Sequence, residues 1–296
     1  MTLNTLINSY VRLMVTIKFW GVRGSTPCAN AENMRFGGNT SCVQISATHL
    51  DELLVLDCGT GIRNLGNNIM DRKEALHGNI FLTHPHWDHL QGFAFFKPFY
   101  HPDGNFNIHL TAQPGLSCNE ILQGHFSNIF FPISIDMLSA KMNCTSIEEG
   151  VYEFGDYMVE MMWGKHTIPT GMFKVVIEDK VIIYAPDNEL PHDDSVESRV
   201  FIEKFKAFIQ GADVLIHDAQ YNLEEYEQRT GWGHTNWEKL LEITSDSQIK
   251  QLYLTHHDPD NSDAQLEERC DQIQAEYGSA YELVTLARDE MVIELT

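Results

Sequence analysis

The chain has 296 residues, with 20 Lys and Arg against 42 Asp and Glu, so its formal net charge at pH 7 is −22. This length suits one large domain, and a hydrophobic content of 43% indicates a globular chain rather than a disordered one. The acidic balance argues against sequence-independent binding to nucleic acid or anionic membranes, since both need excess Lys and Arg. Fourteen histidines in so acidic a chain favour a transition-metal site, because imidazole and carboxylate are its usual ligands.

The N-terminal residues 1–13 lack the continuous apolar stretch of a signal peptide, because Asn4, Asn8 and Ser9 interrupt them. No apolar run in the chain approaches the ~20 residues needed to span a bilayer. We therefore expect a cytoplasmic protein with no membrane partner, in which residues 1–13 are a dispensable extension and residues 14–296 form one domain. The six cysteines form no CxxC pair, so we expect reduced thiols and no Cys-based zinc site.

Ten strands and three helices are predicted along the chain. Three segments have helical periodicity, at 195–210, 235–244 and 262–276, with Ser195 and either Asn261 or Ser262 as N-caps. Strands dominate the first half and alternate with helices in the second, a pattern that a layered α/β sandwich would bury. The predicted strands are β-branched runs bounded by Gly, Asn, Asp or Pro, at 15–20, 42–48, 53–57, 79–83, 106–111, 172–178, 181–185, 213–217, 250–255 and 290–295.

The strongest chemical signal follows the predicted strand at 79–83. From His84 to His89 the sequence reads His-Pro-His-Trp-Asp-His, so three histidines and one aspartate lie within six residues. In extended geometry His84 and His86 share one side and can converge on one ion. Asp88 and His89 lie beyond the turn and can point to a second ion. This density of ligand-type residues predicts a metal site rather than isolated structural histidines.

Three further candidate ligands lie at the ends of other predicted strands. His166 lies just before one strand, whereas Asp187 and His256 lie just after two others. In each case an apolar strand meets a loop that carries a ligand-type side chain. This repetition predicts a dinuclear site assembled along one edge of the sheets.

Together these residues resemble the metallo-β-lactamase-fold hydrolases, whose motif order is His-x-His-x-Asp-His, then His, Asp and His. The resemblance covers the chain from about Val15 to Thr296 and implies a four-layer αββα sandwich with two mixed sheets. His257 is an alternative for the last ligand, because the sequence reads His256-His257. The resemblance implies one ion bound by His84, His86 and His166, a second bound by Asp88, His89 and His256, and a bridge between them formed by Asp187.

An Asp at the bridging position resembles the glyoxalase II, tRNase Z and phosphodiesterase branches rather than the true β-lactamases. The segments around Asp218 and His234 are similar to the paired His-Glu-Ala-Thr and His-Ser-Thr motifs of tRNase Z-type phosphodiesterases, with Asp218 in place of Glu. A histidine held by a carboxylate keeps a defined tautomer and can assist a phosphoryl oxygen or a leaving group. The candidate catalytic residues are therefore Asp88 (also a ligand), His234 and Asp218. The alternative role for His234 is to cap the helix at 235–244, and we expect His217 to be structural.

Two Gly-rich stretches, residues 20–27 and 36–41, resemble those of a bacterial group of metal-dependent hydrolases or cyclic-nucleotide phosphodiesterase-like proteins. Arg23 in the first stretch has two equally weighted roles, as a phosphate contact or as a surface or salt-bridged residue. Asp57 begins an Asp-Cys-Gly-Thr-Gly run at 57–61 that resembles the Asp-Cys-Gly loop of the tRNase Z branch. We expect Asp57 to support ligand geometry rather than to contact substrate.

The charge and the composition of the chain narrow the range of expected substrates. The tRNase branch grips tRNA with a Gly/Pro-rich basic arm, and this sequence shows none, while a charge of −22 would repel RNA. No polymeric nucleic acid partner is therefore expected. Nine aromatic residues lie between Gly92 and Pro132; most are expected in the core, and one or two could stack on a base, an interaction worth ~1–3 kcal/mol. The favoured substrate is a small phosphodiester such as a cyclic nucleotide.

The implied mechanism uses two divalent ions, with zinc first and manganese or iron as alternatives. Metal binding lowers the pKa of water toward ~7 and so supplies a hydroxide that attacks phosphorus. The alternatives are a lactone or thioester hydrolase of the glyoxalase II type, which would use the same ligands, and a mononuclear-iron persulfide dioxygenase. A catalytically dead binding module is disfavoured because no ligand is missing. The sequence leaves the oligomeric state open and is compatible with a homodimer.

Overall fold

The computed structural model describes residues 14–129 and 131–296, in which strands and helices follow the predicted order. The strands are β1 (Val15–Gly21), β2 (Cys42–Ala47), β3 (Leu53–Leu56), β4 (His77–Leu82), β5 (Asn105–Thr111), β6 (Lys141–Ile147), β7 (Gly150–Glu153), β8 (Tyr157–Trp163), β9 (Gly171–Ile177), β10 (Lys180–Ala185), β11 (Val214–Asp218), β12 (Gln251–Thr255), β13 (Leu283–Leu286) and β14 (Val292–Leu295). The α-helices are α1 (Ile62–Arg72), α2 (Trp87–Leu90), α3 (Cys118–His125), α4 (Val196–Ile209), α5 (Leu223–Glu227), α6 (Trp237–Thr244) and α7 (Asp263–Tyr277). Short 3₁₀ helices occupy Ala31–Asn33, Phe93–Phe95, Lys97–Tyr100, Ile135–Met137 and Gly278–Ala280.

In the described part of the chain, the strands form two mixed sheets of seven strands each. The first sheet has the order β14-β1-β2-β3-β4-β5-β6 and the second has the order β13-β12-β11-β10-β9-β8-β7. In the first sheet β3 to β6 run parallel and β1 pairs antiparallel with β2 and β14. In the second sheet β10 to β13 run parallel, whereas β7 to β10 pair antiparallel. The predicted α/β fold with two mixed sheets is confirmed.

Three apolar layers hold the sandwich together. The sheets pack on each other through side chains such as Phe81 and Phe173, whose ring centroids lie 5.6 Å apart. Outside the first sheet, α1 buries Leu65 and Ile69 against it, and outside the second, α4, α6 and α7 form a separate core. The strand β3 reads Leu-Leu-Val-Leu and is buried on both faces, because it lies mid-sheet between the inner core and α1. Each such side chain contributes about 1.5–3 kcal/mol of burial free energy.

The predicted elements lie within a few residues of the observed ones. Ser195 caps α4, since its side chain accepts a hydrogen bond from the Ser198 amide, and Ser262 rather than Asn261 caps α7. The elements that were not predicted are β6, β7, β8, β13, α1, α2, α3 and α5. The division into an extension at 1–13 and a domain at 14–296 stays a prediction, because residues 1–13 lie outside the described part of the chain.

One expectation about the cysteines is wrong. The structure joins Cys118 at the start of α3 to Cys144 in β6 as a disulfide, so these two are not free thiols. The remaining cysteines, Cys28, Cys42, Cys58 and Cys270, are free. Among the described residues, no helix has both the length and the apolar character needed to cross a bilayer.

Arg23 has a structural position. Its guanidinium is fully buried, and it donates to the carbonyls of Gly37, Asp258 and Asn261 at 2.8–3.0 Å. The Asp263 carboxylate lies 3.9 Å from Nη2. Arg23 therefore ties the loop after β1 to the segment between β12 and α7, which favours the structural role over the phosphate contact.

We expect Arg23→Ala to lower the free energy of unfolding by about 3–5 kcal/mol, because it removes a buried cation and leaves three carbonyls without their donor. Urea denaturation followed by circular dichroism measures this. Arg63→Ala, on the exposed face of α1, is the matched control and should change the stability by less than about 0.5 kcal/mol. A folded Arg23→Ala variant of unchanged stability that binds phosphate more weakly would instead support the phosphate contact.

Candidate metal centre

The topology brings every predicted ligand to one edge of the sandwich. His84, His86, Asp88 and His89 lie in the turn and the short helix α2 that follow β4 of the first sheet. The other three ligands come from the second sheet. Asp187 and His256 follow the parallel strands β10 and β12, and His166 precedes β9, which is antiparallel to β10. The ends of these strands therefore meet at a common edge.

Four of these side chains converge tightly: Asp88, His89, Asp187 and His256. The His89 Nε2 atom lies 2.9 Å from Asp187 Oδ1, 3.3 Å from Asp88 Oδ2 and 3.3 Å from His256 Nε2. The His256 Nε2 atom lies 3.0 Å from Asp88 Oδ2 and 3.2 Å from Asp187 Oδ1. A tetrahedral ion with bonds of ~2.0–2.1 Å separates its donor atoms by about 3.3 Å, so these distances fit a shared ion.

A second group consists of His84, His86 and His166. The His166 Nε2 atom lies 3.0 Å from His86 Nδ1. The Asp187 Oδ2 atom lies 3.7 Å from His166 Nε2 and 3.8 Å from His84 Nε2. One oxygen of Asp187 therefore faces each group, which is the arrangement that a bridging carboxylate requires.

The donor set suits a cation in its charge as well as in its shape. The His84 Nε2 atom and the Asp187 Oδ1 atom are both buried without a hydrogen-bond partner, which is costly for polar atoms unless another ligand completes them. Burial and neighbouring imidazoles lower the pKa of His86 to about 4, so it is neutral at pH 7. Burial alone would raise the pKa of Asp187, but His256, His89 and His84 hold it well below its usual range. Despite burial, the carboxylates of Asp187, Asp88 and Asp57 instead raise the pKa of His89, and an ion would displace that proton, since imidazoles bind divalent ions in the neutral form and carboxylates in the ionised form.

The fully buried Asp57 orients the ligands on the first sheet. It accepts a hydrogen bond from His89 Nδ1 at 2.7 Å, which leaves Nε2 of His89 directed at the tight group. The same carboxylate accepts from the Thr83 amide and hydroxyl and from the Tyr184 hydroxyl at 2.8–3.0 Å. The Thr83 hydroxyl also lies 3.1 Å from Nδ1 of His84. This geometry matches the expected supporting role of Asp57.

His256, and not His257, belongs to the tight group. The backbone of His256 has a φ of +59°, a left-handed conformation that costs a non-glycine residue of order 1 kcal/mol. Its ring packs on Gly24, where a Cβ would come within 2.3 Å of His256 Nδ1. His257 points elsewhere and donates from Nε2 to the Ala287 carbonyl at 2.8 Å.

His166 is held by the loop that carries His234. Its Nδ1 atom donates to the Gly233 carbonyl at 2.9 Å, so Nε2 faces the other histidines. Gly233 has a φ of +91°, and a Cβ there would lie 2.0 Å from His166 Nδ1. The carboxylate of Glu189 accepts from the amides of Gly231 and Gly233 at 2.7–2.8 Å and fixes this loop.

His234 and Asp218 lie together beside the ligand groups. Asp218 is fully buried at the end of β11 and accepts a hydrogen bond from His234 Nδ1 at 3.0 Å. Burial disfavours the imidazolium, but Asp218, Asp187 and Asp88 together raise the pKa of His234 to about 9. The His234 ring stacks on His256 with centroids 4.8 Å apart. His217 is turned away, toward Asn188 at 3.0 Å, as expected for a structural residue.

A cavity of about 490 Å³ opens over this centre and is lined by His86, Asp88, Asp187 and His234. Trp87 and Trp232 line the same cavity, and their side chains are unusually exposed, at 75% and 59%. The volume lies within the range of small-molecule sites. A phosphate-sized group in this cavity would touch the ligand groups and His234 at once.

The chain matches a known family over most of its length. Residues 53–257 match the family described as the Beta-lactamase superfamily domain. The chain belongs to this superfamily. The match includes every predicted ligand and both Asp218 and His234.

Two relatives among curated proteins are enzymes called ribonuclease Z. The one from Thermoplasma acidophilum is 23% identical over 278 residues, covering 77% of this chain and 85% of the relative. The one from Brevibacillus brevis is 22% identical over 299 residues, covering 85% of this chain and 90% of the relative. These relatives count against the expectation that no polymeric nucleic acid is a partner.

Solved structures share the fold. The metallo-β-lactamase fold protein YhfI from Bacillus subtilis has a TM-score of 0.68 at 16% identity, covering 95% of this chain and all of that one. Unliganded yeast PDE1 has a TM-score of 0.67 at 14% identity, covering 96% of this chain and all of that one. Human tRNase Z, short form, has a TM-score of 0.61 at 19% identity, covering 94% and 98% of the two chains. The predicted resemblance to the tRNase Z and phosphodiesterase branch is confirmed, and with it the class of metal-dependent hydrolase.

Several residues that shape the metal centre have no predicted role in the sequence. Thr83, Tyr184 and Glu189 orient ligands or their loops, and Ser25 donates its backbone amide to Asp88 Oδ2 at 2.7 Å. Thr83 alone carried a usable signal, because a hydroxyl residue directly before a ligand histidine can reach its ring. Tyr184 and Glu189 form hydrogen bonds with residues more than 40 positions away in the chain, so no local sequence pattern predicts their roles.

We expect Gly233→Ala to weaken metal binding by at least about tenfold, because the new methyl group displaces the His166 ring. Titration of the metal-free protein against a competing chelator measures this. Gly231→Ala is a closely matched control, since Gly231 also has a positive φ, +85°, but no atom lies within 4 Å of the position that its Cβ would occupy. Equal affinities in the two variants would contradict the assignment of His166 as a ligand.

Proposed function

We propose that this protein is a dinuclear-metal-dependent phosphodiesterase that acts on a small diester. The observation that carries the proposal is the position of Asp187, which presents one oxygen to each of two ligand groups. His234, held by Asp218, lies beside both groups and lines the same cavity. This combination supplies two cation sites and one polar hydrogen-bonding group around a space for a single phosphate.

The residues divide into those that hold ions and those that handle the substrate. His84, His86 and His166 would hold one ion, and Asp88, His89 and His256 the other, with Asp187 between them. Divalent ions supply Lewis-acid charge for phosphoryl oxygens and acidify a water, and zinc, manganese and iron all suit these ligands. Asp57 keeps the His89 tautomer in which Nε2 carries the lone pair.

The role proposed for His234 is to contact the substrate rather than to bind an ion. Because Asp218 engages Nδ1, Nε2 is the atom that remains for a phosphoryl oxygen or for the leaving group. Asp218 is itself fixed by the Gln220 amide at 2.9 Å and the Thr235 amide at 3.2 Å, so the imidazole is held in one orientation. A positioned group of this kind contributes about 10²- to 10⁴-fold to the rate.

Two observations bear on the size of the substrate. A cavity of about 490 Å³ fits a nucleotide-sized molecule, and the net charge of −22 disfavours a polyanion. The relatives called ribonuclease Z favour a second candidate, hydrolysis of an RNA phosphodiester. Lactone and thioester hydrolysis remain the carbonyl alternative, against which the His234–Asp218 pair argues.

We expect His86→Ala and Asp187→Ala to abolish metal-dependent hydrolysis of bis(p-nitrophenyl) phosphate, because each removes a donor that no neighbour replaces. Release of p-nitrophenolate measures the rate. His77→Ala and Asp51→Ala, at exposed positions away from the edge, are the matched controls and should keep full activity.

The wild-type protein is assayed in parallel with a cyclic nucleotide, a short RNA and a simple lactone. A small-diester enzyme turns over the cyclic nucleotide fastest, whereas preference for the RNA or the lactone would favour the corresponding alternative. Undiminished turnover in purified His86→Ala or Asp187→Ala would contradict the mechanism.

We expect His234→Ala to retain the full metal content while lowering kcat by about 10²-fold or more, because this side chain serves the substrate rather than an ion. Metal content is measured by elemental analysis alongside the diester assay. Loss of one ion per chain in His234→Ala would instead identify His234 as a ligand.

A further inference from the structure

A second cavity, of about 400 Å³, adjoins the metal centre. Pro85 and Trp87 line both cavities, so the two share a wall within the His84–His89 turn. Its remaining lining comes from α2, the segment that follows it, and α3. We call this cavity the apolar pocket and define it by Pro85, Trp87, Leu90, Phe95, Ile121 and Phe131.

The aromatic side chains of the apolar pocket are more exposed than side chains of this kind usually are. Trp87 is 75% exposed and Phe95 is 50% exposed, whereas Phe93, Phe96 and Phe99 nearby are buried in the core. Phe95 and Phe131 meet edge to face with centroids 5.5 Å apart. Scattered exposed apolar residues need no explanation, but several that converge on one concave site beside a reactive centre indicate a binding surface.

The apolar pocket is also electrically neutral, which restricts its occupant. Among the described residues that line it, none is Lys, Arg, Asp or Glu. Its one titratable residue is His125, and burial lowers the pKa of that imidazole, so it is uncharged at pH 7. Gln91 and His125 are the polar side chains of the lining. A neutral planar ring with polar edge atoms matches this lining, and a charged group does not.

We propose that the apolar pocket binds a neutral planar ring of the substrate, with Trp87 and Phe95 as stacking surfaces, while the phosphate of the same molecule lies at the metal centre. This inference rests on the proposed phosphodiesterase function and names the substrate class as ring-bearing diesters. A nucleobase and a simple aryl group share the required chemistry. Stacking on such side chains is worth roughly 5- to 100-fold in affinity.

Gly124 provides a way to close the pocket without disturbing the fold. It lies in α3 and lines the pocket, and no atom lies within 4 Å of the position that its Cβ would occupy. We therefore expect leucine at this position to be accommodated without a backbone shift and to fill part of the pocket that Gly124 lines. Gly150→Leu is the matched control, because the nearest atom to its Cβ position is 3.9 Å away and Gly150 is not among the residues that line the pocket.

The test compares ligands that share a head group and differ by a ring. Binding of phenylphosphonate and methylphosphonate to the metal-loaded protein is measured by calorimetry. We expect wild-type protein and Gly150→Leu to bind phenylphosphonate about 5- to 100-fold more tightly than methylphosphonate. In Gly124→Leu and Phe95→Ala this ratio should fall toward one, while the affinity for methylphosphonate stays unchanged.

A second pair, adenosine 5′-monophosphate and ribose 5-phosphate, distinguishes a nucleobase from a simple aryl group. A ring preference confined to the nucleotide pair assigns the pocket to a nucleobase, and one confined to the phosphonate pair assigns it to an aryl group. Equal affinities within both pairs in the wild type, or ratios that survive Gly124→Leu, would overturn the ring pocket while leaving the metal centre intact. Failure of all four anions to bind would overturn the phosphodiesterase proposal and this one with it.

Discussion

The site depends on one buried carboxylate, that of Asp187, which lies between two groups of imidazoles. Its oxygens approach His89 on one side and His84 and His166 on the other, and the side chain is almost completely buried. A carboxylate in this position is stable only among neutral or cationic partners, so its neighbours must present lone pairs to an ion or protons to its oxygens. The hydrogen bonds that Asp57, Thr83 and Gly233 make to the ligand histidines orient the imidazole rings so that their lone pairs face an ion.

The sequence predicts the ligands better than it predicts their supports. His84 to His89 are recognisable because they are close in the chain and follow an apolar strand, as do Asp187 and His256. Gly24 and Gly233 each leave space for one ligand ring, yet their role depends on contacts with residues 67 or more positions away. The same limit applies to Tyr184, whose hydroxyl reaches Asp57 across 127 positions.

The fold shows a similar division between strong and weak local signals. Most strands buried in the sandwich have β-branched apolar runs and are predicted, whereas β6 reads Lys-Met-Asn-Cys-Thr-Ser-Ile at a sheet edge and carries little apolar alternation. The helix α1 buries Ile62, Leu65 and Ile69 with helical spacing, but Gly66 and the helix's three asparagines weaken the helical propensity. Tertiary packing, and not local preference, decides both elements.

The origin of the ligands in two different sheets has a consequence for the stability of the whole molecule. His84, His86, Asp88 and His89 belong to the first sheet, while His166, Asp187 and His256 belong to the second. Any ion held by both sets cross-links the sandwich at its open edge and binds the folded chain in preference to the unfolded one. Each tenfold rise in free ion above its dissociation constant then adds about 1.4 kcal/mol to the free energy of unfolding. The cellular supply of the metal would thus set the protein's lifetime as well as its activity.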